Sequence, residues 1–232
     1  MTFEAYYDTH WLPEGDYFRI HRQRFLQSWD FIEAQNFAPV GTVLDVGGIG
    51  PLSAYLEVEH GWTTHQTKTD LRYPLPIPSD TFELVICTET IEHIKDVESS
   101  EIKDLESFNY SGVIAMLTEL RRALRSDGGL FISTPNANSL ITLEKWLDGE
   151  LLLMDPHHVR EFSIRELGRI ALQAGFCTQA VRTVDSWETP RSTKLAALEK
   201  RLAESQDARQ VERGDNIFAL FTKTPETRSD NA

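Results

Sequence analysis

The chain has 232 residues, of which 41% are hydrophobic and 25% are charged, and its formal net charge is −13. This length suits one decorated domain with a full hydrophobic core, and the composition is ordinary for a globular protein. Nucleic-acid backbones attract lysine and arginine, so the strong negative charge disfavours nucleic acid as a partner.

Two further features bear on location. No apolar run approaches the roughly 20 residues that a membrane span requires, and the first residues lack the basic start and apolar core of a secretion signal. The two cysteines, Cys87 and Cys177, each lie in an apolar run. Buried free thiols are therefore expected, together with a cytoplasmic location.

In chain order, residues 1–40 form an aromatic-rich, helical opening segment. Phe25 and Trp29 fall on one face of its main helical pattern, and Tyr7 and Trp11 precede that pattern. Six apolar or β-branched runs then alternate with helical patterns. The predicted strands are Val43–Val46, Trp62–Thr69, Phe82–Cys87, Leu130–Ser133, Phe176–Val184 and Ile217–Thr222. This alternation predicts an α/β fold with a doubly wound, mostly parallel sheet, closed by a hairpin-like pair of strands.

The segment after the first strand is the most informative. Asp45 ends the apolar run, Gly47, Gly48 and Gly50 follow, and Pro51 can open a helix. Glycine lets the backbone approach a ligand closely, and proline suits the first helical turn. Ligands of parallel α/β sheets bind at the carboxyl ends of the strands, so this pattern predicts a nucleotide-type site.

Several separate segments resemble the class I S-adenosylmethionine-dependent methyltransferases, particularly their small-molecule branch. The matching pieces are Val43–Gly50, Pro74–Val85, Glu89–His93, Leu120–Leu124, Gly128–Asn136, His158–Phe162 and Ala174–Phe176. Their common order and spacing carry the resemblance. It implies a Rossmann-like methyltransferase domain over residues 41–224, S-adenosylmethionine as cofactor and S-adenosylhomocysteine as product. The first 40 residues would act as a lid, and residues 225–232 would be a disordered tail.

The chain departs from that family in two places. Gly47 and Gly48 are adjacent, which predicts a glycine loop one residue shorter than usual. Only Asp70 lies where the family has two acidic residues, and the proline-rich segment that follows leaves no room for the usual second helix and third strand. We therefore expect about six strands, with the third, edge strand lost and the polar run Trp62–Thr69 as the new edge.

The resemblance assigns eight residues to the cofactor: Asp45, Gly47, Gly48, Gly50, Asp70, Leu71, Thr88 and Glu89. Asp45 would act indirectly by fixing the loop. Asp70 would accept hydrogen bonds from the ribose, and Leu71, Arg72 and Tyr73 would cover the base. Thr88 and Glu89 end a buried strand and would border the methionine end of the cofactor.

On the acceptor side, His93 is the predicted general base, unless it only hydrogen-bonds the neighbouring loop. Tyr7, Trp11, Asn136 and His158 are predicted to form the pocket for a small-molecule or glycan-like acceptor, although Tyr7 and Trp11 could equally just pack the first helix down. Neither the acceptor atom nor the oligomeric state follows from the sequence.

Three alternatives stay open. Glu89, Glu92, His93 and His158 match the metal ligands of the small-RNA 2′-O-methyltransferases, and such donors suit Mg²⁺ or Mn²⁺. The net charge of −13 opposes RNA, so no metal ligand is predicted. The run 48–53 partly fits the dinucleotide fingerprint of an NAD-dependent oxidoreductase. The irregular glycine motif would also suit a catalytically inactive cofactor-binding domain.

Overall fold

The computed structural model describes residues 1–97, 110–150, 153–187, 192–205 and 211–225. In this part of the chain the helices are α1 (Phe3–His10), α2 (Asp16–Ile20), α3 (Arg22–Glu33), α4 (Pro51–His60), α5 (Ser111–Ala123), α6 (Leu140–Leu147), α7 (Ile164–Gln173) and α8 (Thr193–Glu204). The strands are β1 (Thr42–Asp45), β2 (Thr63–Gln66), β3 (Phe82–Thr88), β4 (Leu124–Pro135), β5 (Phe176–Val184) and β6 (Asn216–Lys223). The expected tail at 225–232 lies outside the described residues from position 226 onward.

The six strands form one sheet in the order β2-β1-β3-β4-β6-β5. The pairings among β1, β2, β3 and β4 are parallel, whereas β6 runs antiparallel to both β4 and β5. The predicted doubly wound, mostly parallel sheet with a closing antiparallel pair is confirmed. β2 lies at the edge, as expected if the outermost strand of the family is missing.

Two strands differ in length from the prediction. β2 is shorter than the predicted Trp62–Thr69, because only Thr63–Gln66 pairs with β1. β4 begins at Leu124, where a helix end was expected, because Leu124 is buried and pairs with Phe82. The register then shifts, so the polar residues that follow bulge out of the ladder before regular pairing resumes at Gly129.

The sheet carries a hydrophobic core on each face. One face packs against α5 and α7, whose apolar stripes include Met116, Leu120 and Ile170. The other packs against α4 and the N-terminal helices, where Phe25 and Trp29 are buried. The N-terminal segment is therefore a helical layer of the domain, held by its own aromatic side chains.

Local signals also behave as the sequence indicates. Pro51 opens α4, and Ser163 with Glu166 forms a capping box at the start of α7. Cys87 and Cys177 are both free thiols. Within the described residues, no helix has the length and apolar character needed to cross a membrane.

Candidate active site

The glycine loop follows β1 and is held from within by Asp45. The carboxylate of Asp45 accepts hydrogen bonds from the backbone N–H of Gly50 at 2.9 Å and from the hydroxyl of Ser53. Asp45 is only 3% exposed, and these two bonds hold the loop from inside. Burial raises the pKa of Asp45 to about 7, although the bonds from Ser53 and Gly50 act in the opposite direction.

Apart from the exposed side chain of Ile49, the surface of this loop is bare backbone. Gly47 and Gly48 have φ values of +98° and +144°, which side chains rarely adopt. A methyl group on Gly47 would lie 3.5 Å from Thr90 Oγ1, and one on Gly48 would lie 3.9 Å from Gln66 Oε1. A bare backbone next to a hydroxyl and an amide suits a nucleoside-type ligand such as the adenosyl group.

Three polar neighbours of the loop were not singled out by the sequence. Thr67 accepts a hydrogen bond from Gly47 N–H at 3.1 Å, Gln66 ends β2, and Thr90 follows β3. Their position could have indicated them as site residues, because they lie at the carboxyl ends of the strands adjacent to β1 and those ends meet at one edge of the sheet.

Asp70 and Leu71 lie in the connection after β2. The Asp70 side chain is 44% exposed, and its carboxylate is bound by the Arg72 guanidinium at 2.7 Å, which lowers the pKa of Asp70. Leu71 is 8% exposed and belongs to the hydrophobic core, whereas Tyr73 beside it is exposed. Asp70 therefore keeps an accessible carboxylate, but most of the Leu71 side chain is unavailable to cover a base.

The segment after β3 separates two sides of the site. Thr88 pairs in register with Ser133, and the backbone of Glu89 then adopts a φ of +47°. The Thr90 hydroxyl lies beside the glycine loop, 3.0 Å from the carbonyl of Thr88 and 3.4 Å from the carbonyl of Val46. Glu89 instead lines a cavity of about 260 Å³ on the other side. This segment thus borders both the glycine loop and the cavity.

The Glu89 carboxylate is fully engaged by protein groups. It accepts hydrogen bonds from Ser133 Oγ at 2.8 Å and from Asn216 Nδ2 at 3.0 Å, and it forms an ion pair with Arg24 at 3.2 Å. The Glu89 carboxylate thus faces the cavity, and the place of Glu89 at the methionine end of the cofactor stays a prediction. Arg24 has a side chain only 4% exposed and also donates to Tyr17 Oη at 2.8 Å.

The cavity collects side chains from five parts of the chain. Its lining residues are Tyr17, His21, Arg24, Glu89, Glu92, His93, Pro135, Met154, Asp155, His157, His158 and Trp187. The contributions of the N-terminal helices and of Trp187 were not predicted from the sequence. Burial and the neighbouring Arg24 lower the pKa of His21 to about 4, so His21 is neutral at physiological pH.

His93 and His158 stand together at one wall of the cavity, with ring centres 4.9 Å apart. His93 Nδ1 lies 3.0 Å from the carbonyl oxygen of His157 and must carry a proton to donate to it. His158 Nδ1 is held by Glu161 at 3.0 Å. In the neutral tautomer of His93 the lone pair is therefore on Nε2, so the bond to the neighbouring loop and a role as base are compatible.

Glu92 lies behind His93 and is 0% exposed. Its Oε2 accepts a hydrogen bond from Thr134 Oγ1 at 2.9 Å, whereas its Oε1 has no hydrogen-bond partner among the described residues. Oε1 lies 4.0 Å from His93 Nε2. Burial and the negative charge of Glu89 raise the pKa of Glu92 well above its ordinary value.

A divalent metal has a partial set of donors here. One ligand atom each from Glu92, His93 and His158 lie within 4.8 Å of one another, and the bond from His158 to Glu161 is of the kind that orients metal-binding histidines. The orphaned Oε1 of Glu92 fits such an ion. Glu89 does not, because Arg24 and two hydrogen-bond donors already occupy its carboxylate.

Three residues expected in the acceptor pocket point elsewhere. Tyr7 is fully buried in the core and donates its hydroxyl to the carbonyl of Phe18 at 2.7 Å. Trp11 packs on Phe18, with ring centres 5.0 Å apart. Asn136 is 1% exposed, and its side chain bonds the backbones of Gly214 and Asn138. Of the four predicted acceptor residues, His158 lines the cavity and these three do not.

Comparison with known proteins agrees with the fold. Residues 18–181 match the model of the methyltransferase domain family. No curated protein matches the chain. A SAM-dependent methyltransferase from Archaeoglobus fulgidus has 17% identity and a TM-score of 0.53, with 90% of this chain and 100% of that chain covered.

Two other solved structures are similar. A SAM-dependent methyltransferase from Thermotoga maritima, described as a possible histamine N-methyltransferase, has 16% identity, a TM-score of 0.55 and coverage of 96% of this chain and 98% of its own. Phosphoethanolamine N-methyltransferase 2 of Haemonchus contortus, bound to phosphomonomethylethanolamine and S-adenosylhomocysteine, has 16% identity, a TM-score of 0.53 and coverage of 86% and 52%. These likenesses show the fold. Together with the family match, they establish that this chain belongs to the S-adenosylmethionine-dependent methyltransferases.

Proposed function

We propose that this protein transfers a methyl group from S-adenosylmethionine to a small-molecule acceptor bound in the cavity beside Glu89. One observation carries the proposal: Thr90 lies beside the glycine loop while Glu89 and His93 line the cavity. A methyl donor bound on the loop and a methyl acceptor bound in the cavity would therefore lie next to the same short segment, which holds Glu89 and Thr90. Two of the structurally similar proteins are described as N-methyltransferases of small molecules, which supports this class of acceptor.

The cofactor half of the proposal rests on the glycine loop and the connection after β2. Backbone at Gly47 and Gly48 would lie against the adenosyl group, and Asp45 would keep the loop in shape through Gly50. Asp70 is proposed to accept hydrogen bonds from the ribose hydroxyls, with Arg72 orienting its carboxylate. When bound, S-adenosylmethionine supplies an electrophilic methyl group on sulfur.

The acceptor half rests on alignment and on one base. Methyl transfer is an in-line displacement, so holding the acceptor atom in line supplies much of the acceleration; effective molarities for such positioning reach about 10⁵ to 10⁸ M. His93 is proposed to take the acceptor's proton on Nε2, since Nδ1 is held by the carbonyl of His157. A base of this kind contributes roughly 10²- to 10⁴-fold.

A metal-assisted methyl transfer is the second candidate, because Glu92 Oε1 is buried without a partner beside His93 and His158. Those three residues would hold the ion, which would lower the pKa of an acceptor hydroxyl. The engagement of Glu89 by Arg24 removes the fourth ligand that the RNA-methylating relatives would use. The net charge of −13 also favours a small acceptor over RNA.

The proposal predicts that Asp70→Ala weakens binding of S-adenosylhomocysteine about tenfold or more, because a charged hydrogen-bond acceptor is lost. His93→Ala should change that affinity little, since His93 lies on the acceptor side. Asp80→Ala is the matched control, because Asp80 is an exposed aspartate paired with a cation, Lys223. Calorimetric titration measures all three. Equal affinity in wild type and Asp70→Ala would remove Asp70 from the cofactor site.

A further inference from the structure

The cavity brings together hydrogen-bonding atoms of Glu92, His93 and His158. Glu92 Oε1 has no partner in the described chain, and His93 Nε2 carries a lone pair because Nδ1 donates to a carbonyl. One ring nitrogen of His158 completes a triad whose atoms lie within 4.8 Å of one another. A ligand group that satisfies this triad must bring several donors at one atom, which a hydroxyl, with its single proton, does not.

The fixed charges of the cavity favour a cation. The positive charge of Arg24 is already matched by Glu89 at 3.2 Å, and His21 is held neutral by burial and by Arg24. The carboxyl groups of Glu92 and Asp155 remain. Burial and Glu89 raise the pKa of Glu92, and a bound ammonium would favour its charged form, while Asp155 is in contact with His157 at 2.7 Å. An acidic protein with such a lining attracts ammonium groups and disfavours phosphate or carboxylate acceptors.

The opposite wall is aromatic. The His21 ring packs on Tyr17, with centres 4.4 Å apart, and edge-on against Trp187 at 5.0 Å. All three residues line the same cavity as Glu92. Ammonium groups and the carbon atoms next to them are stabilised by aromatic faces as well as by carboxylates, so both walls suit the same ligand.

We propose that the acceptor is a small amine, bound as its ammonium ion with its nitrogen between Glu92, His93 and His158, and methylated at that nitrogen. Hydrogen bonds of about 2.9 Å from a tetrahedral nitrogen place neighbouring acceptors about 4.7 Å apart. Adjacent ligands of a metal at about 2.1 Å would lie only about 3.4 Å apart. The observed 4.0 Å between Glu92 Oε1 and His93 Nε2 falls between these two spacings, and the 4.8 Å limit of the triad accommodates the ammonium spacing.

The proposal rests on the proposed function and completes its reaction. The ammonium gives one proton to His93 Nε2, whose ring is 41% exposed and can pass the proton to solvent. The freed nitrogen lone pair forms the bond to the methyl carbon as the carbon–sulfur bond breaks, and sulfur keeps the electron pair. The products are a methylated ammonium, S-adenosylhomocysteine and one released proton. Glu92 Oε1 is buried, so the entering nitrogen needs a small rearrangement of the surrounding side chains to reach it.

Two matched sets of probes test the acceptor class on protein loaded with S-adenosylhomocysteine and freed of metal by EDTA. One set is benzylamine, benzyl alcohol and benzoate, and the other is glucosamine, glucose and glucuronate. Thermal shift and calorimetry should show that the amine of each set binds at least about tenfold more tightly than its partners, since it alone forms charge-assisted bonds. Glu92→Gln should remove that preference. Glu144→Gln, which alters a carboxylate paired with Ser192 outside this cavity, should keep it.

The possible results separate the two proposals. Tighter binding of the alcohol or the acid, or equal binding within both sets in wild-type protein, overturns the amine assignment whatever the variants do. A stabilisation by MnCl₂ that Glu92→Gln abolishes, with the amines inert, assigns the triad to a metal instead and also overturns it. Failure of wild-type protein to bind S-adenosylhomocysteine at all would be failure of the proposed function, and it is seen before any acceptor probe is added.

Discussion

Asp45 shows how one buried carboxyl group can serve a ligand that it does not touch. Its Oδ2 atom bonds both Gly50 and Ser53, which connects the end of β1 to the first turn of α4. The loop between them is thereby held with Gly47 and Gly48 in conformations that only glycine adopts readily. The tightness of the loop is therefore compatible with binding, because its shape is fixed from inside.

The raised pKa of Asp45 predicts a specific pH dependence of stability. Its folded-state pKa of about 7 lies above the ordinary value of 3.8, so between these limits the folded protein holds a proton that the unfolded chain releases. The stabilising contribution of Asp45 to the free energy of unfolding is fully present below about pH 4 and is lost as the pH rises to about 7. The free energy of unfolding of wild type, relative to Asp45→Asn, should fall by a few kcal/mol over that window.

Urea denaturation at several pH values measures this difference. Asp80→Asn is the control, because its exposed carboxylate has a pKa lowered by Lys223 and must give a change of opposite sign. Its stabilising contribution is lost as pH falls below the ordinary range, not as pH rises. A constant difference between wild type and Asp45→Asn from pH 4 to pH 7 would show that Asp45 is charged throughout.

At the scale of single elements, helix α3 contains one buried and one exposed arginine that form ion pairs. Arg24 is almost fully buried against Glu89, whereas Arg22, two residues earlier, pairs with Glu4 and Asp8 at the surface. Removing one partner of a buried pair leaves the other charge without compensation, while exposed pairs are screened by water.

We therefore expect Arg24→Ala to lower the free energy of unfolding by about 3 to 5 kcal/mol. Arg22→Ala, in the same helix, should cost less than about 1 kcal/mol. Replacing both partners, as Arg24→Met with Glu89→Gln, should recover much of the loss, because no unpaired charge remains. Urea denaturation gives these values. If Arg22→Ala and Arg24→Ala lowered the free energy of unfolding by similar amounts, the buried pair would contribute no more to stability than the exposed one.

Elements were easier to predict from the sequence than their side-chain directions. Apolar runs identified all six strands, and the short connection after β2 correctly indicated a missing edge strand. The start of β4 was missed because Leu124 completes a helical stripe as well as it fills a strand position. Tyr7 and Asn136 were predicted to line the acceptor pocket. The Tyr7 side chain instead lies in the core, and the Asn136 side chain bonds the backbone of Gly214.

The acceptor cavity could not be assembled from the sequence for a related reason. Arg24 lies in a helix rich in charged residues, where a solvent-exposed arginine is the ordinary expectation. Trp187 is distant from every motif of the family. Only the packing of the N-terminal helices on the sheet, with Phe25 and Trp29 in the core, brings Arg24 next to Glu89.

The whole molecule combines a common sheet with a local acceptor chamber. The glycine loop after β1 and the segment after β3 share one edge of the sheet, as the parallel strand order requires. The N-terminal helices and Trp187 then close the cavity on the far side of that segment. In the proposed arrangement, general features of the fold would bind the methyl donor. Residues particular to this chain would select the acceptor.

The most direct test of the account is calorimetric titration of the purified protein with S-adenosylhomocysteine, with NADH in a parallel titration. One equivalent of S-adenosylhomocysteine should bind with a dissociation constant of about 1 to 100 μM, a free energy of about −8 to −5 kcal/mol. NADH should give no binding heat. Absence of binding by S-adenosylhomocysteine at millimolar concentration, or tighter binding of NADH, would contradict the proposed site at Gly47 to Gly50.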